Sequence, residues 1–288
     1  MSQSFLRKLG FRRRHLGRPL IRDLARPLVR AGIIPPTVVN GAQLNLQFQV
    51  NVNGIRFHYH VQDEKYMDPI GAALYWHSWA AWEPRLVTLF SRWAAQSNRV
   101  IDVGANTGYY TLLAAAHGCR VMAFEPNPEI FPFLQDNVRI NGFQDLCDLM
   151  QLAAGEEEKE VQLYIHEDRT MGSMIHPTAV SQSVLCRPLD DCVPMDGATG
   201  LVKIDAEGAE KQVLAGMSRL IRNSSPRIIF ECFKQETATE VERILRNHSY
   251  RLFWIDAMSE LQELATLTID LYGDGDHNFA ALPQGLSG

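Results

Sequence analysis

The sequence predicts an α/β fold, a doubly wound and mostly parallel sheet with an N-terminal β-hairpin extension, and three observations carry that expectation. Strand-length apolar runs alternate with segments of helical period from Val100 to Leu282. One joint, Val100-Ile-Asp-Val-Gly-Ala-Asn-Thr-Gly-Tyr-Tyr110, is a strand that ends in a glycine turn and opens into the Leu/Ala-rich segment Thr111–Ala116. Ahead of the alternation, Asn53-Gly54 sits between two strictly alternating flanks, the preferred signal for a two-residue hairpin turn.

The glycine joint has the makings of a ligand site. Amides in the first turn of a helix lack intrahelical partners, and glycines let a ligand come close to them. In an open parallel sheet such a turn lies at the carboxyl end of a strand, beside the crevice where strand order reverses. A dinucleotide fingerprint would need G-x-G-x-x-G, but counting from Gly104 the second and third glycine positions hold Asn106 and Tyr109. The spacing present is acid-x-Gly-x-x-x-Gly, in Asp102, Gly104 and Gly108. The next apolar run, Cys119–Glu125, ends in a carboxylate about seventeen residues after Gly108, where an acid is expected to meet ribose hydroxyls. Asn127-Pro128-Glu129 then reads as helix N-cap, first-turn proline and favourable first-turn charge.

Taken in order, residues 1–36 form a basic arm. Leu20, Leu24 and Leu28 stand at helical spacing, Pro19 and Pro27 interrupt, and Pro35-Pro36 closes the segment. Three roles fit the arm: resting on the body, touching an anionic membrane or acidic partner, or acting as a transit peptide. Residues 37–80 form the hairpin extension, pairing Val52 with Ile55, Val50 with Phe57, Phe48 with Tyr59 and Leu46 with Val61 on one apolar face. His58 and His60 share the wetted face and read as surface residues rather than metal ligands. Residues 81–288 form the α/β domain. Trp76, Trp79, Trp82 and Trp93 crowd its approach, as packing or as a wall of the pocket.

Within the domain, a helix over Ile130–Ile140 ends at Asn141-Gly142, and a third strand covers Asp148–Ala154. Two strands without an intervening helix, Lys159–Ile165 and Ser183–Leu189, follow, joined by a loop holding Arg169, Met171-Gly172-Ser173 and His176 that is expected to lie beside the pocket mouth and carry substrate contacts. A fourth strand at Gly200–Ala206 leads into one helix carrying Val213, Met217, Leu220 and Ile221. Strand Pro226–Phe233, helix Glu236–Asn247, strand Tyr250–Asp256 and a last strand at His277–Leu282 complete the alternation.

The net charge is −5, but it is lopsided: residues 1–30 carry nine Lys or Arg against Asp23, which leaves the rest with 19 basic and 32 acidic residues. An acidic body is a poor general binder of nucleic acid. Five cysteines, an odd number without a C-x-x-C pair, read as buried reduced thiols, and no window reaches about 18 uninterrupted apolar residues. Together these point to a cytoplasmic protein.

The second dense constellation is Val202-Lys203-Ile204-Asp205-Ala206-Glu207-Gly208-Ala209-Glu210, acids at a strand end and across the following turn, facing the same crevice. With V-I-D-V-G-A-N-x-G-Y, F-E-P-N-P and K-I-D-x-E-G-A-E in this order, the chain from about Trp82 to Pro283 resembles the FkbM-type methyltransferases. Leu189-Asp190-Asp191, Glu231 and Asn278-Phe279 are similar to the family's pattern as well. The resemblance implies a class I, Rossmann-like methyltransferase domain that uses S-adenosylmethionine (SAM) and methylates a hydroxyl of a sugar, glycolipid or secondary metabolite. On that reading Gly104, Asn106 and Gly108 form the turn around SAM, with Asp102 organising the turn or meeting the methionine end. Glu125 meets the ribose, and Asn127 follows it. Asp205 is the general base or acceptor anchor, held ionised by Lys203, with Glu207 and Glu210 positioning acceptor hydroxyls. No metal ligands are assigned, although an ion-pair network or a divalent cation is an alternative use of the acids. A non-catalytic binding protein acting through the basic arm and an NAD-dependent oxidoreductase are the competing functions. Asn106 and Tyr109 argue against the second, and intact Asp102, Glu125 and Asp205 against the first.

Overall fold

A computed structural model describes residues 19–35, 39, 44–62, 68–165, 172–175, 178, 180–269 and 277–286. The first eighteen residues of the arm, Pro36, and Arg169, Met171 and His176 of the insertion lie outside the described residues. The N-terminal part holds helix α1 (Pro19–Arg30), the hairpin β1 (Asn45–Val52) and β2 (Ile55–Gln62), and helix α2 (Pro69–Trp76). Helix α3 (Pro84–Ala94) leads into the sheet through β3 (Arg99–Val103), α4 (Tyr109–Ala116), β4 (Arg120–Phe124), α5 (Phe131–Ile140) and β5 (Cys147–Met150). A small sheet follows, built from β6 (Ala153–Ala154), β7 (Lys159–Ile165), β8 (Gly172–Ser173) and β9 (Val180–Arg187), and then the short helix α6 (Leu189–Cys192). The second half contains β10 (Thr199–Ile204), α7 (Glu210–Ala215), α8 (Ser218–Ser224), β11 (Arg227–Glu231), α9 (Gln235–Asn247), β12 (Tyr250–Ile255), β13 (Leu261–Leu264) and β14 (Asn278–Pro283).

Eight strands form the central sheet in the order β13-β12-β14-β11-β10-β3-β4-β5. The pairs from β11 to β5 are parallel, and β11–β14, β14–β12 and β12–β13 are antiparallel. This is the expected α/β sheet, mostly parallel and covered on both faces. Strand alternation sorts the core: Val100, Leu201 and Ile229 pack with α3, α4 and the hairpin, while Ile101, Val103, Val202, Ile204 and Phe230 pack with α7, α8 and α9. By the same alternation Asp102 and Lys203, paired in register on neighbouring strands, share the face of α3 and α4.

The hairpin has the register read from Asn53-Gly54, with Val52↔Ile55, Val50↔Phe57, Phe48↔Tyr59 and Leu46↔Val61. Val50, Val52, Phe57, Tyr59 and Val61 are all buried, each worth about 1.5–3 kcal/mol, well beyond the marginal stability of an isolated hairpin. Polar contacts fix its position. The backbone amides of His58 and His60 donate to the side-chain oxygens of Asn141 and Asn137 on α5.

Four details differ from the sequence reading. The third strand splits into β5 and β6, which belong to different sheets, so the chain leaves the main sheet after Met150. The single helix expected after β10 breaks into α7 and α8 at Gly216, where an added Cβ would lie 1.8 Å from the carbonyl oxygen of Gly155; backbone of the next layer occupies the place of a side chain. Helix α5 starts at Phe131, and Asn127 caps only the preceding turn through the amide of Glu129. The reason is Pro132, which has no N–H to offer the Pro128 carbonyl. Strand β13, too short and polar to register in the pattern, pairs with β12 as an edge.

Gly104 holds the two halves of the sheet together. Its φ is +74°, and an added Cβ would fall 1.8 Å from the carbonyl oxygen of Asp205, so the turns after β3 and β10 touch backbone to backbone. Gly118 also has a positive φ, +86°, but faces open space. Gly118→Ala should therefore cost only the left-handed penalty, about 1–2 kcal/mol, whereas Gly104→Ala adds an overpacking cost of about 1–3 kcal/mol. Denaturant unfolding of the two variants checks the difference, and equal losses would show that the turns separate freely.

Candidate active site

After β3 the chain passes to β4 on one side, and after β10 it passes to β11 on the other, so the crevice of reversed strand order opens between the tips of β3 and β10. A cavity of about 450 Å³ occupies it. Three turns supply its polar wall: Gly104, Ala105 and Asn106 after β3, Glu125 and Asn127 after β4, and Asp205 and Glu207 after β10. Leu163 and Met174 of the small sheet, Ile70 of α2, Trp82 and Phe233 make much of the apolar wall.

On the β4 side, both Glu125 carboxylate oxygens accept backbone amides, from Asn127 and Asn106, each at 2.8 Å. Burial pushes this carboxyl up to about 7 against those stabilising amides. Each oxygen keeps a further lone pair for a ligand hydroxyl. Asn127 is buried in the cavity wall, and its Nδ2 has no hydrogen-bond partner among the described residues. Asn106 adopts φ +50° and its Oδ1 accepts the amide of Thr107, which bends the turn around the cavity. The hairpin reinforces this turn: the Tyr59 hydroxyl bonds Thr107 Oγ1 and donates to Asp68, and Asn137 Nδ2 donates to the Thr107 carbonyl at 2.8 Å.

On the β10 side, the Lys203 ammonium lies 3.0 Å from Asp205 and 4.8 Å from the centre of the Tyr110 ring. Its side chain is 4% exposed against 31% for Asp205, so the lysine is buried and the aspartate reaches the cavity. Burial alone would lower the ammonium's pKa, but Asp205, Asp102 and Glu83 outweigh it and raise it. Glu231, at the tip of β11, lies within hydrogen-bonding reach of Asp205, and burial followed by the Asp205 charge raises its pKa far above the usual carboxylate range. Glu207 is raised to about 7, by burial first and then by Asp205. The site therefore groups three carboxyls, Asp205, Glu207 and Glu231, around one buried ammonium.

Three residues expected at the cavity stand behind it instead. Asp102 is fully buried and accepts Thr111 Oγ1 at 2.7 Å, which ties β3 to α4. Gly108 opens α4, and an added Cβ would come 2.7 Å from Leu134, so it serves helix packing. Glu210 directs its carboxylate to the amides of Gly208 and Ala206 and shapes the turn beneath Asp205 and Glu207.

Two carboxyls were not given roles by the sequence. Glu83 precedes α3 in the left-handed region, φ +41°, and accepts Tyr110 OH at 2.7 Å and Asn278 Nδ2 at 3.0 Å. Glu231 joins from the next strand. Their sequence signals were Glu83-Pro84 at the start of the domain and, for Glu231, an acid ending a strand that is similar to the family's pattern. Glu83, Asn106 and Glu207 all line the cavity with positive φ, a concentration of backbone strain typical of functional sites.

Among curated proteins the chain is similar to the 31-O-demethyl-FK506 methyltransferase FkbM of Streptomyces tacrolimicus, with 29% identity over 191 residues, 52% of this chain and 72% of that protein. A tRNA (guanine(37)-N(1))-methyltransferase of Danio rerio is 41% identical over 63 residues, 21% of this chain and 13% of its own length. A solved structure of methyltransferase FkbM from Methylobacillus flagellatus KT superposes with a TM-score of 0.45 and 22% identity over 64% of this chain, which spans 43% of that one. The family model described as the methyltransferase FkbM domain matches residues 102–252, just over half of the chain and the whole segment from Asp102 into β12. The chain belongs to the FkbM methyltransferase family.

Proposed function

We propose that this protein is a SAM-dependent O-methyltransferase whose acceptor is a hydroxyl of a sugar, glycolipid or polyhydroxylated metabolite. The observation that carries the reading is that Glu125 and Asp205, at the tips of two parallel strands, open into one cavity on either side of the Gly104 turn. The residues fit a nucleoside: Glu125 has lone pairs for ribose hydroxyls, Asn127 has an unpartnered buried donor, and Gly104 and Ala105 keep the wall low. When bound, SAM supplies a methyl group on a sulfonium that is already a good leaving group.

The chain's part is then to position the acceptor oxygen and to take its proton. Asp205 receives the hydroxyl proton, and the Lys203 ammonium 3.0 Å away holds its side chain in place. Protonated Glu231 donates to Asp205 or to a neighbouring acceptor oxygen, and Glu207 meets a second hydroxyl. Carboxyls grouped this way suit a ligand rich in hydroxyl donors, with Trp82 and Phe233 as flat apolar surfaces beside it.

The cofactor role of Glu125 carries a pH signature. Its ligand-free pKa of about 7 lies above the usual carboxylate range, and ribose hydroxyls favour the ionised form, so binding should release a proton. SAM affinity is expected to fall as the pH drops below about 7, and Glu125→Gln should flatten that dependence while weakening binding by about 1–3 kcal/mol. Calorimetric titration with SAM and NAD at several pH values reads both effects. Preference for NAD would reassign the site to an oxidoreductase.

The proton-acceptor role of Asp205 separates an enzyme from a binding protein. Asp205→Asn should keep SAM affinity and thermal stability while methyl transfer falls by roughly 10² or more. Screening glycans and glycolipids with labelled SAM supplies the acceptor for the measurement, and near-normal turnover of the variant would remove Asp205 from the chemistry.

A further inference from the structure

Helix α1 is mounted with its polarity reversed relative to an ordinary surface helix. Toward the body it presents Ala25 and Val29, both buried, together with arginines: Arg26 Nε donates to the Tyr75 carbonyl at 2.8 Å with its guanidinium 4.4 Å from the Tyr75 ring, and Arg30 donates to the same carbonyl at 3.3 Å. Away from the body it presents Leu20, Leu24 and Leu28, which are 82%, 72% and 40% exposed. Their i, i+4, i+8 spacing makes one stripe, flanked by exposed Pro19 and Pro27 and followed by Ile33, 66% exposed. The acid on this helix, Asp23, is engaged by Arg22 at 3.1 Å and by the Tyr75 hydroxyl at 3.3 Å. Pro27 removes one helical hydrogen bond yet stays within the helix on its exposed side, so its ring adds to the apolar stripe.

What covers the stripe is indicated by charge. The eighteen residues before α1 contain Arg7, Lys8, Arg12, Arg13, Arg14 and Arg18 and no acid. A second copy seated symmetrically on the stripe would bring two such segments together. An apolar stripe preceded in the sequence by a cation-rich segment without acids matches a surface with an apolar interior and an anionic face. We propose that α1 docks the protein on an anionic lipid bilayer, its leucines entering the acyl boundary. Helix α1 rests on α2, whose Pro69 and Ile70 line the cavity. The inference is independent of the methyl-transfer reading.

Co-sedimentation of the full chain with vesicles tests it. Binding is expected to vesicles of phosphatidylcholine and phosphatidylglycerol in equal parts, and to be at least about tenfold weaker to phosphatidylcholine alone or at high salt. Leu20→Ser, Leu24→Ser and Leu28→Ser together should weaken it by at least about tenfold with unchanged circular dichroism, since all three side chains face away from the body. A Leu24→Trp variant gives a second readout, a blue shift of the added indole's emission, relative to wild type, when the anionic vesicles are mixed in. Absence of wild-type binding, full binding by the triple serine variant, or emission from the Leu24→Trp variant that does not shift overturns the proposal. So does a dimer in size-exclusion chromatography that the serine variant dissociates, which would make a second copy the occupant.

Discussion

A single ammonium group sits where three parts of the chain meet. Lys203 extends from the middle of the sheet into the space beneath α3 and α4, where Asp205 from its own strand end, Asp102 from the neighbouring strand and Glu83 from the start of α3 all bear on it. Each carboxylate alone would be costly to bury, and so would the lysine. Together they are tolerable, with the Tyr110 ring closing the fourth side. Around this group Glu83 holds a left-handed conformation and Asp205 stays partly exposed at the cavity wall.

The β4 side of the cavity depends on backbone instead. Glu125 has no oppositely charged partner among the described residues; its two oxygens are held by amides of the turns they organise. The two carboxyls, both at strand tips, thus differ in surroundings: Glu125 sits among backbone amides with its pKa pushed up to about 7 by burial, whereas Asp205 is paired with the Lys203 ammonium.

The parts legible in the sequence were those governed by local rules. Asn53-Gly54 set the hairpin register, the strand-turn-helix pattern located Glu125, and the period of two along Val202–Asp205 put Lys203 and Asp205 on one face. The parts that escaped depended on layers meeting in space. The break at Gly216 comes from the carbonyl of Gly155, some sixty residues earlier in the chain. Glu83 reaches Asn278 across nearly two hundred residues, and no periodicity reports such a contact. Glu210 looked equivalent to Glu207 in the motif, but the helix start turned its carboxylate toward its own turn's amides.

The mounting of the hairpin has a consequence for synthesis. Its turn is local, so β1 and β2 can pair within microseconds of leaving the ribosome. The helices α4 and α5 that contact β2 end with Ala116 and Ile140. At about 5–20 residues per second, translation of the roughly eighty residues between β2 and the end of α5 takes several seconds. Through that interval α2, which packs on Val61 and Tyr59 around Gly71, can shield part of the hairpin's apolar face, while the surface that α4 and α5 will cover stays open to chaperone capture.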